Sequence, residues 1–188
     1  LTINSLRYAD KNLYEVVTRG VDYHFCYDGD YLVRDPYTVT MDEIKAAAIA
    51  SIKDSTMMYY SCDVAKELDS KRGLLDMNNY DYESILGVEF GMDKKQRIQT
   101  YSSGSSHAMT LIAVDLDEAG KPRKWMVENS WGAASGYKGN LIMTDKWFEE
   151  YMFRVVLEKK YVPADVLKML EQKPVLLPAW DPMFAPEE

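Results

Sequence analysis

Residues 108–115 and 124–129 are strand-like apolar runs, and Glu118-Ala119-Gly120-Lys121-Pro122 lies between them. Two such runs joined by a short Gly- and Pro-bearing segment read as an antiparallel hairpin. No other feature constrains the chain as much, because it decides which distant residues become neighbours. His107 stands at the start of the first run and Asn129 at the end of the second. In an antiparallel pair those two ends lie side by side, so their separation in sequence is no obstacle.

The two residues have complementary chemistry. Imidazole is the side chain best suited to move protons at neutral pH. The side-chain carbonyl of Asn129 is able to accept a hydrogen bond from one ring nitrogen and so orient the ring. Together they make two thirds of a Cys-His-Asn catalytic set, in which imidazolium holds a cysteine as thiolate. Trp131 is placed to cover the His-Asn bond and exclude water. Gly132 lets the chain turn away without a side chain in the cleft. A plainer reading stands beside this one: His107 as a polar surface residue and Asn129-Ser130-Trp131-Gly132 as a turn with a packed Trp.

The rest of the chain reads as mixed α and β. Residues 23–27 are strand-like, and Asp28-Gly29-Asp30 is a turn signal. Thr40 with Glu43 forms a capping box for a helix running to about Asp54, with Met41, Ile44, Ala48 and Ile52 on one face. Residues 57–60 suggest a short buried strand, and 64–68 one or two helical turns after Cys62. Residues 69–106 are polar and irregular and read as a long loop. Residues 139–144 and 153–159 read as further strands, the latter alternating in character. Between them lies a short helix, 146–151, capped by Thr144 or Asp145. Pro163 suits the start of a helix bearing Val166, Leu167 and Leu170 and stopped by Pro174. Residues 174–188 form an extended, Pro-rich, apolar tail, so the expected organisation is one unit, 1–173, and a docking tail, 174–188. No internal repeat is visible.

Composition narrows the function classes. The 188 residues are 47% hydrophobic, enough for a packed core. The net charge of −8 argues against a nucleic-acid surface. No apolar run is long enough to span a membrane. No leader is visible, although the chain begins at Leu1, as a processed or truncated product would. Two cysteines, Cys26 and Cys62, are too few for a disulfide framework; independent thiols are the default and one bridge stays open. His24 and Cys26 would share a strand face, but two ligands make no closed metal site, and neither metal nor cofactor is expected.

Several motifs carry a resemblance. Ser106-His107-Ala108-Met109-Thr110, Val127-Glu128-Asn129-Ser130-Trp131-Gly132, the run 136–148, and Leu177-Pro178-Ala179-Trp180-Asp181-Pro182-Met183 occur in this order. Ala46–Asp54, Cys62-Asp63-Val64-Ala65-Lys66 and Asp76-Met77-Asn78 precede them. The chain resembles the C-terminal half of the bleomycin hydrolase and bacterial aminopeptidase C family, papain-superfamily cysteine peptidases. The resemblance is good over about residues 40–183 and loose before.

The resemblance implies an α+β fold: the β-rich, barrel-like lobe of a papain-like peptidase, with flanking helices and an extended C-terminal tail. It implies that His107 is the catalytic histidine and Asn129 its orienting partner, with Trp131 and Gly132 in support. The family's nucleophilic cysteine and oxyanion-hole glutamine belong to an N-terminal segment with no counterpart here. The chain is therefore expected to act on peptides with the N-terminal half of the same enzyme, to be inactive alone, and to assemble as a hexamer in the cytoplasm. The family's C-terminal carboxylate meets the substrate's α-ammonium, which would assign that role to Glu188. Phe184-Ala185-Pro186-Glu187-Glu188 departs from the family's small residues there. Two alternatives remain. Cys62 ahead of a short helix would suit a compact Cys-His-Asn hydrolase, with the helix N-terminus lowering the thiol pKa. A non-catalytic assembly fragment is the other.

Overall fold

A computed structural model describes residues 13–17, 23–26, 30–33, 40–169 and 175–176. The capping box forms as expected. Glu43 N–H donates to Thr40 Oγ1 at 3.2 Å, and Thr40 N–H donates to Glu43 Oε2 at 2.7 Å. It starts helix α1 (Met41–Lys53), whose inner face is Ile44, Ala47, Ala48 and Ser51. Three consecutive alanines favour the helix and let it lie close to the sheet beneath.

That sheet has eight strands among the described residues. In chain order they are β1 (Leu13–Val17), β4 (Met58–Cys62), β5 (Leu68–Asp69), β6 (Leu74–Leu75), β7 (His107–Leu116), β8 (Pro122–Glu128), β9 (Asn140–Thr144) and β10 (Met152–Glu158). In space they run β1-β10-β4-β7-β8-β9-β6-β5, antiparallel except between β6 and β9. A second sheet is made by β2 (Tyr23–Cys26), β3 (Asp30–Val33) and β11 (Val175–Leu176), in the order β11-β3-β2. The α+β expectation holds. The predicted hairpin is β7–β8, each strand a residue or two longer or shifted from its predicted limits, with Trp125 and Val127 inward and Arg123, Lys124 and Glu128 outward.

Helix α4 (Asp145–Tyr151) supplies the centre of the core. Thr144 caps it, its hydroxyl accepting from Trp147 N–H. Phe148 stacks on Trp125 with centroids 4.6 Å apart and on Tyr60 at 5.6 Å. Trp125 Nε1–H donates to Asp145 Oδ1 at 2.9 Å, and Trp147 Nε1–H to Lys66 O at 2.8 Å, so both buried indoles are satisfied. The ammonium of Lys45 on α1 is buried between the carboxylates of Asp145 and Glu149, locking α1 to α4.

Several expectations need correction. Residues 64–67 form a hydrogen-bonded turn with Glu67 at φ +50°, not helix. Residues 69–106 are not one loop. They hold the β5–β6 hairpin and two short helices, α2 (Tyr82–Leu86) and α3 (Lys94–Gln99), each capped by an aspartate, Asp81 and Asp93. β10 does not alternate: Met152 through Leu157 are all buried, because the strand lies between β1 and β4 with α1 across it. The helix after Pro163 is α5 (Ala164–Met169). Leu170, Pro174, the 28–29 turn and the tail beyond Leu176 lie outside the described residues.

Two close contacts hold the segment after β8 in place. Asn129 N–H donates to Gly139 O at 3.0 Å, closing loop 129–139. Gly136 in that loop lies against Gly73 of the β5–β6 turn, and a Cβ on Gly136 would meet Asn140 O at 2.5 Å. Gly136 also has φ +56°. Gly136→Ala should therefore destabilise the chain by more than the roughly 1 kcal/mol that helix or strand propensity alone would move. Phe148→Ala should cost about 3–5 kcal/mol through the cavity it leaves. Urea unfolding monitored by circular dichroism measures both; an unchanged midpoint for Phe148→Ala would contradict the packing described.

Candidate active site

His107 is the first residue of β7, and Asn129 follows the last residue of β8. The ladder pairs Thr110 with Glu128 and Leu111 with Val127, so the two candidates sit at one end of the hairpin. His107 Nε2 lies 2.8 Å from Asn129 Oδ1. Asn129 Oδ1 also accepts the Ser130 backbone N–H at 2.7 Å. That second bond settles the chemistry of the first. A backbone N–H only donates, so the atom facing it must be the amide oxygen. The oxygen can then only accept from the imidazole, which places the proton on Nε2. In the neutral ring Nδ1 is left with its lone pair, and among the described residues it has no hydrogen-bond partner.

Trp131 lies over the imidazole with centroids 5.2 Å apart and planes tilted by 32°. Its other side is open, and the residue is 44% exposed. Gly132 has φ +89° with no atom within 4 Å of where a Cβ would stand. Its glycine is needed for backbone conformation, not for space in the cleft. Asn129 Nδ2 is buried, with no acceptor among the described residues.

Cys62 is elsewhere in character. It is the last residue of β4, directly across the ladder from His107, yet it is completely buried. Burial pushes its thiol well above the usual range, with the charge of Asp63 adding to the effect and a hydrogen bond with Tyr60 opposing it. A turn follows it, not a helix, so the helix N-terminus invoked for the compact hydrolase is absent. Cys62 is a free thiol, and no hydrogen bond joins its sulfur to the His107 ring. The structure thus removes both features that made Cys62 a candidate nucleophile. His24 and Cys26 lie in β2, but their side chains, like Glu188, are outside what the structure describes. Among the described residues no group of three or more His, Cys, Asp or Glu side chains could hold a metal ion, and no helix is long and apolar enough to cross a membrane.

The approach to His107 holds residues that sequence reasoning passed over. Asp63, buried beside Cys62, accepts from Ser103 Oγ at 2.8 Å and from Ser106 Oγ at 3.4 Å. The serine-rich run 102–106 reads as a loop from composition. The signal that could have marked it is the Asp immediately after Cys62 in the strand that neighbours β7.

Comparison with known proteins shows the family. The family model described as the Peptidase C1-like family matches residues 32–184. Human bleomycin hydrolase (Homo sapiens) is 49% identical over 148 residues, 77% of this chain and 32% of the relative. Aminopeptidase C of Lactococcus lactis subsp. lactis is 41% identical over 147 residues, 78% of this chain and 34% of the relative. Aminopeptidase E of Lactobacillus helveticus is 44% identical over 144 residues, 76% and 32% of the two chains. The crystal structure of PepW from Lactobacillus rhamnosis HN001 superposes with a TM-score of 0.80 at 30% identity, covering 93% of this chain and 42% of that one. The chain spans about a third of the length of the curated relatives it matches. With a family match over most of its length and an architecture shared with PepW, the chain belongs to the Peptidase C1-like family.

Proposed function

We propose that this chain is the His- and Asn-bearing part of a cysteine aminopeptidase that removes N-terminal residues from peptides. The observation that carries the reading is the 2.8 Å contact between His107 Nε2 and Asn129 Oδ1, with the amide orientation fixed by Ser130 N–H. This geometry leaves Nδ1 as the working nitrogen. Nδ1 takes the proton of a cysteine thiol supplied by the N-terminal half of the same enzyme, and the imidazolium holds the thiolate. The thiolate sulfur attacks the scissile carbonyl. As the C–N bond breaks, Nδ1–H gives its proton to the leaving amine. Water then attacks the thioester while Nδ1 accepts its proton, releasing the N-terminal residue and restoring the thiolate–imidazolium pair. Asn129 keeps the ring in one orientation and stabilises the imidazolium through its carbonyl oxygen; Trp131 shields that bond.

The organisation proposed with it is a lobe at 1–173 and a tail at 174–188. The tail begins beside β3, where Val175 pairs with Tyr31 and Leu176 with Asp30. Its end, Glu188, would present a carboxylate to the substrate's α-ammonium. Assembly of several copies, a hexamer by resemblance, belongs to the same reading. The surface suited to it is the exposed apolar run Ile85, Leu86, Val88 and Phe90. A cytoplasmic location is part of the proposal on resemblance alone.

Three measurements test this reading. In the full-length peptidase carrying this region, His107→Ala should lower kcat on an aminoacyl-coumarin substrate by about 10²–10⁴-fold, the range of general-base loss. Retention of full activity would sink the assignment. Asn129→Ala should be milder, because it orients and moves no proton. The 188-residue chain alone should be inactive; activity that disappears in Cys62→Ala would instead favour the compact hydrolase. Finally, because burial holds the Cys62 thiol protonated, it should resist iodoacetamide at pH 8 in a Cys26→Ser background and react once urea unfolds the chain. Rapid labelling of the folded protein, read by mass spectrometry, would contradict its placement.

A further inference from the structure

The imidazole of His107 must point the same way through every turnover, yet it belongs to the first residue of a strand, where ladders fray. On the far side it is gripped by the sheet, Ala108 pairing with Ser61 and Met109 with Tyr60. On the near side the chain comes from 102–106, a run of serines and one glycine with no ladder of its own. Something else has to hold that side.

We propose that Asp63 is a positioning residue for His107, its carboxylate fixing the segment that delivers the imidazole. This rests on the reading of His107 as the base. Asp63 and Ser103 are both buried, and Ser103 Oγ donates to Asp63 Oδ2 at 2.8 Å. Ser106, the residue before His107, donates its N–H to Cys62 O at 3.0 Å, and its hydroxyl lies 3.4 Å from both Asp63 Oδ1 and Cys62 O. Ser105 Oγ donates to Ser61 Oγ at 3.0 Å. Three serines of the approach are thus bonded to the last two residues of β4, Ser61 and Cys62, and to Asp63 directly after it. Asp63 is in turn fixed from behind, its own N–H donating to Tyr151 O at the end of α4 at 3.1 Å.

The chain of contacts therefore runs from α4 through Asp63 to Ser103 and Ser106 and on to the imidazole. A charged acceptor in a dry site makes stronger hydrogen bonds than a neutral one, which suits a carboxylate to this task. Removing it would take the acceptor from the buried Ser103 hydroxyl and one of two from Ser106, and so loosen the near side of His107. A misplacement of about 1 Å in a reacting group costs on the order of 100-fold in rate. Asp63 is buried and makes no hydrogen bond to the imidazole, so its loss should appear in turnover and not in substrate affinity.

The test uses the full-length peptidase carrying this region, with active sites titrated so that unfolded molecules do not count. Asp63→Ala should lower kcat by about 10–100-fold with KM little changed, since the geometric penalty acts on the chemical step. Hydrogen exchange read by mass spectrometry should quicken in peptides covering 102–107. Asp63→Asn, which keeps a carbonyl acceptor, should recover much of the loss, and Ser103→Ala should reproduce part of it. A wild-type kcat per titrated site in Asp63→Ala, with only a lower melting temperature, would overturn the proposal. If Asp63→Ala does not fold, Ser103→Ala decides: unchanged kcat and unchanged exchange of 102–107 would overturn it equally. Failure of the base assignment is a separate result, read from His107→Ala alone.

Discussion

The register of β7 is the constraint on which the site depends. This strand is clamped by β4 on one side and β8 on the other, and both ladders must be in step for His107 and Asn129 to meet. A slip of one residue on either side would turn Leu111 and Met109 out of the core along with the imidazole. The apolar face therefore also specifies the meeting of His107 with Asn129 at no separate cost. Met58, Tyr60, Leu111, Val127 and Trp125 are buried for packing, and their burial fixes the register. The Phe148 stack against Trp125 and Tyr60 ties β8 and β4 to one helix, so the two clamps do not move independently.

A second layer of polar contacts turns this apolar frame into a specific arrangement. Lys45 is buried with two carboxylates of α4, an expensive placement unless both partners stay close. Lys94 and Arg97 of α3 work at the opposite end of the same helix. Lys94 Nζ donates to the carbonyls of Glu149 and Met152, and Arg97 pairs with Glu150. These carbonyls are among those a helix leaves unsatisfied at its C-terminus. α4 is thus held at both ends by basic side chains from elements distant in sequence, and its last residue, Tyr151, carries the carbonyl that fixes Asp63.

Much of this was legible in the residues, for identifiable reasons. The capping box at Thr40 and the hairpin around Gly120 are local signals, and local signals survive folding. The pairing of His107 with Asn129 was legible because a hairpin converts sequence order into proximity. Residues 64–106 were not legible in the same way. Their helices are only five and six residues long, too short for periodicity to show, and their capping aspartates sit in otherwise polar sequence. β10 was misread because a strand covered on both faces loses the alternation that marks a half-buried one. Cys62 carried a rival reading for a related reason: the strand 58–62 ends on it, and nothing in Cys-Asp-Val distinguishes the last residue of a buried strand from a thiol ahead of a short helix. The contacts of Ser103 and Ser106 with Asp63 span 40 and 43 positions, which no local pattern carries.

Trp131 gives the site one more property. Of the four tryptophans, Trp125 and Trp147 are sealed in the core, Trp180 lies outside the described residues, and Trp131 is half-open to solvent against the imidazole. An indole emits differently in water and in a covered site, and a protonated imidazole in contact with it quenches its emission by accepting an electron, whereas the neutral ring does so far less. The residue lying against the His107 ring is therefore also an optical reporter of it. The charge state of the imidazole and the covering of the cleft are both written into the emission of a single side chain that the protein already carries.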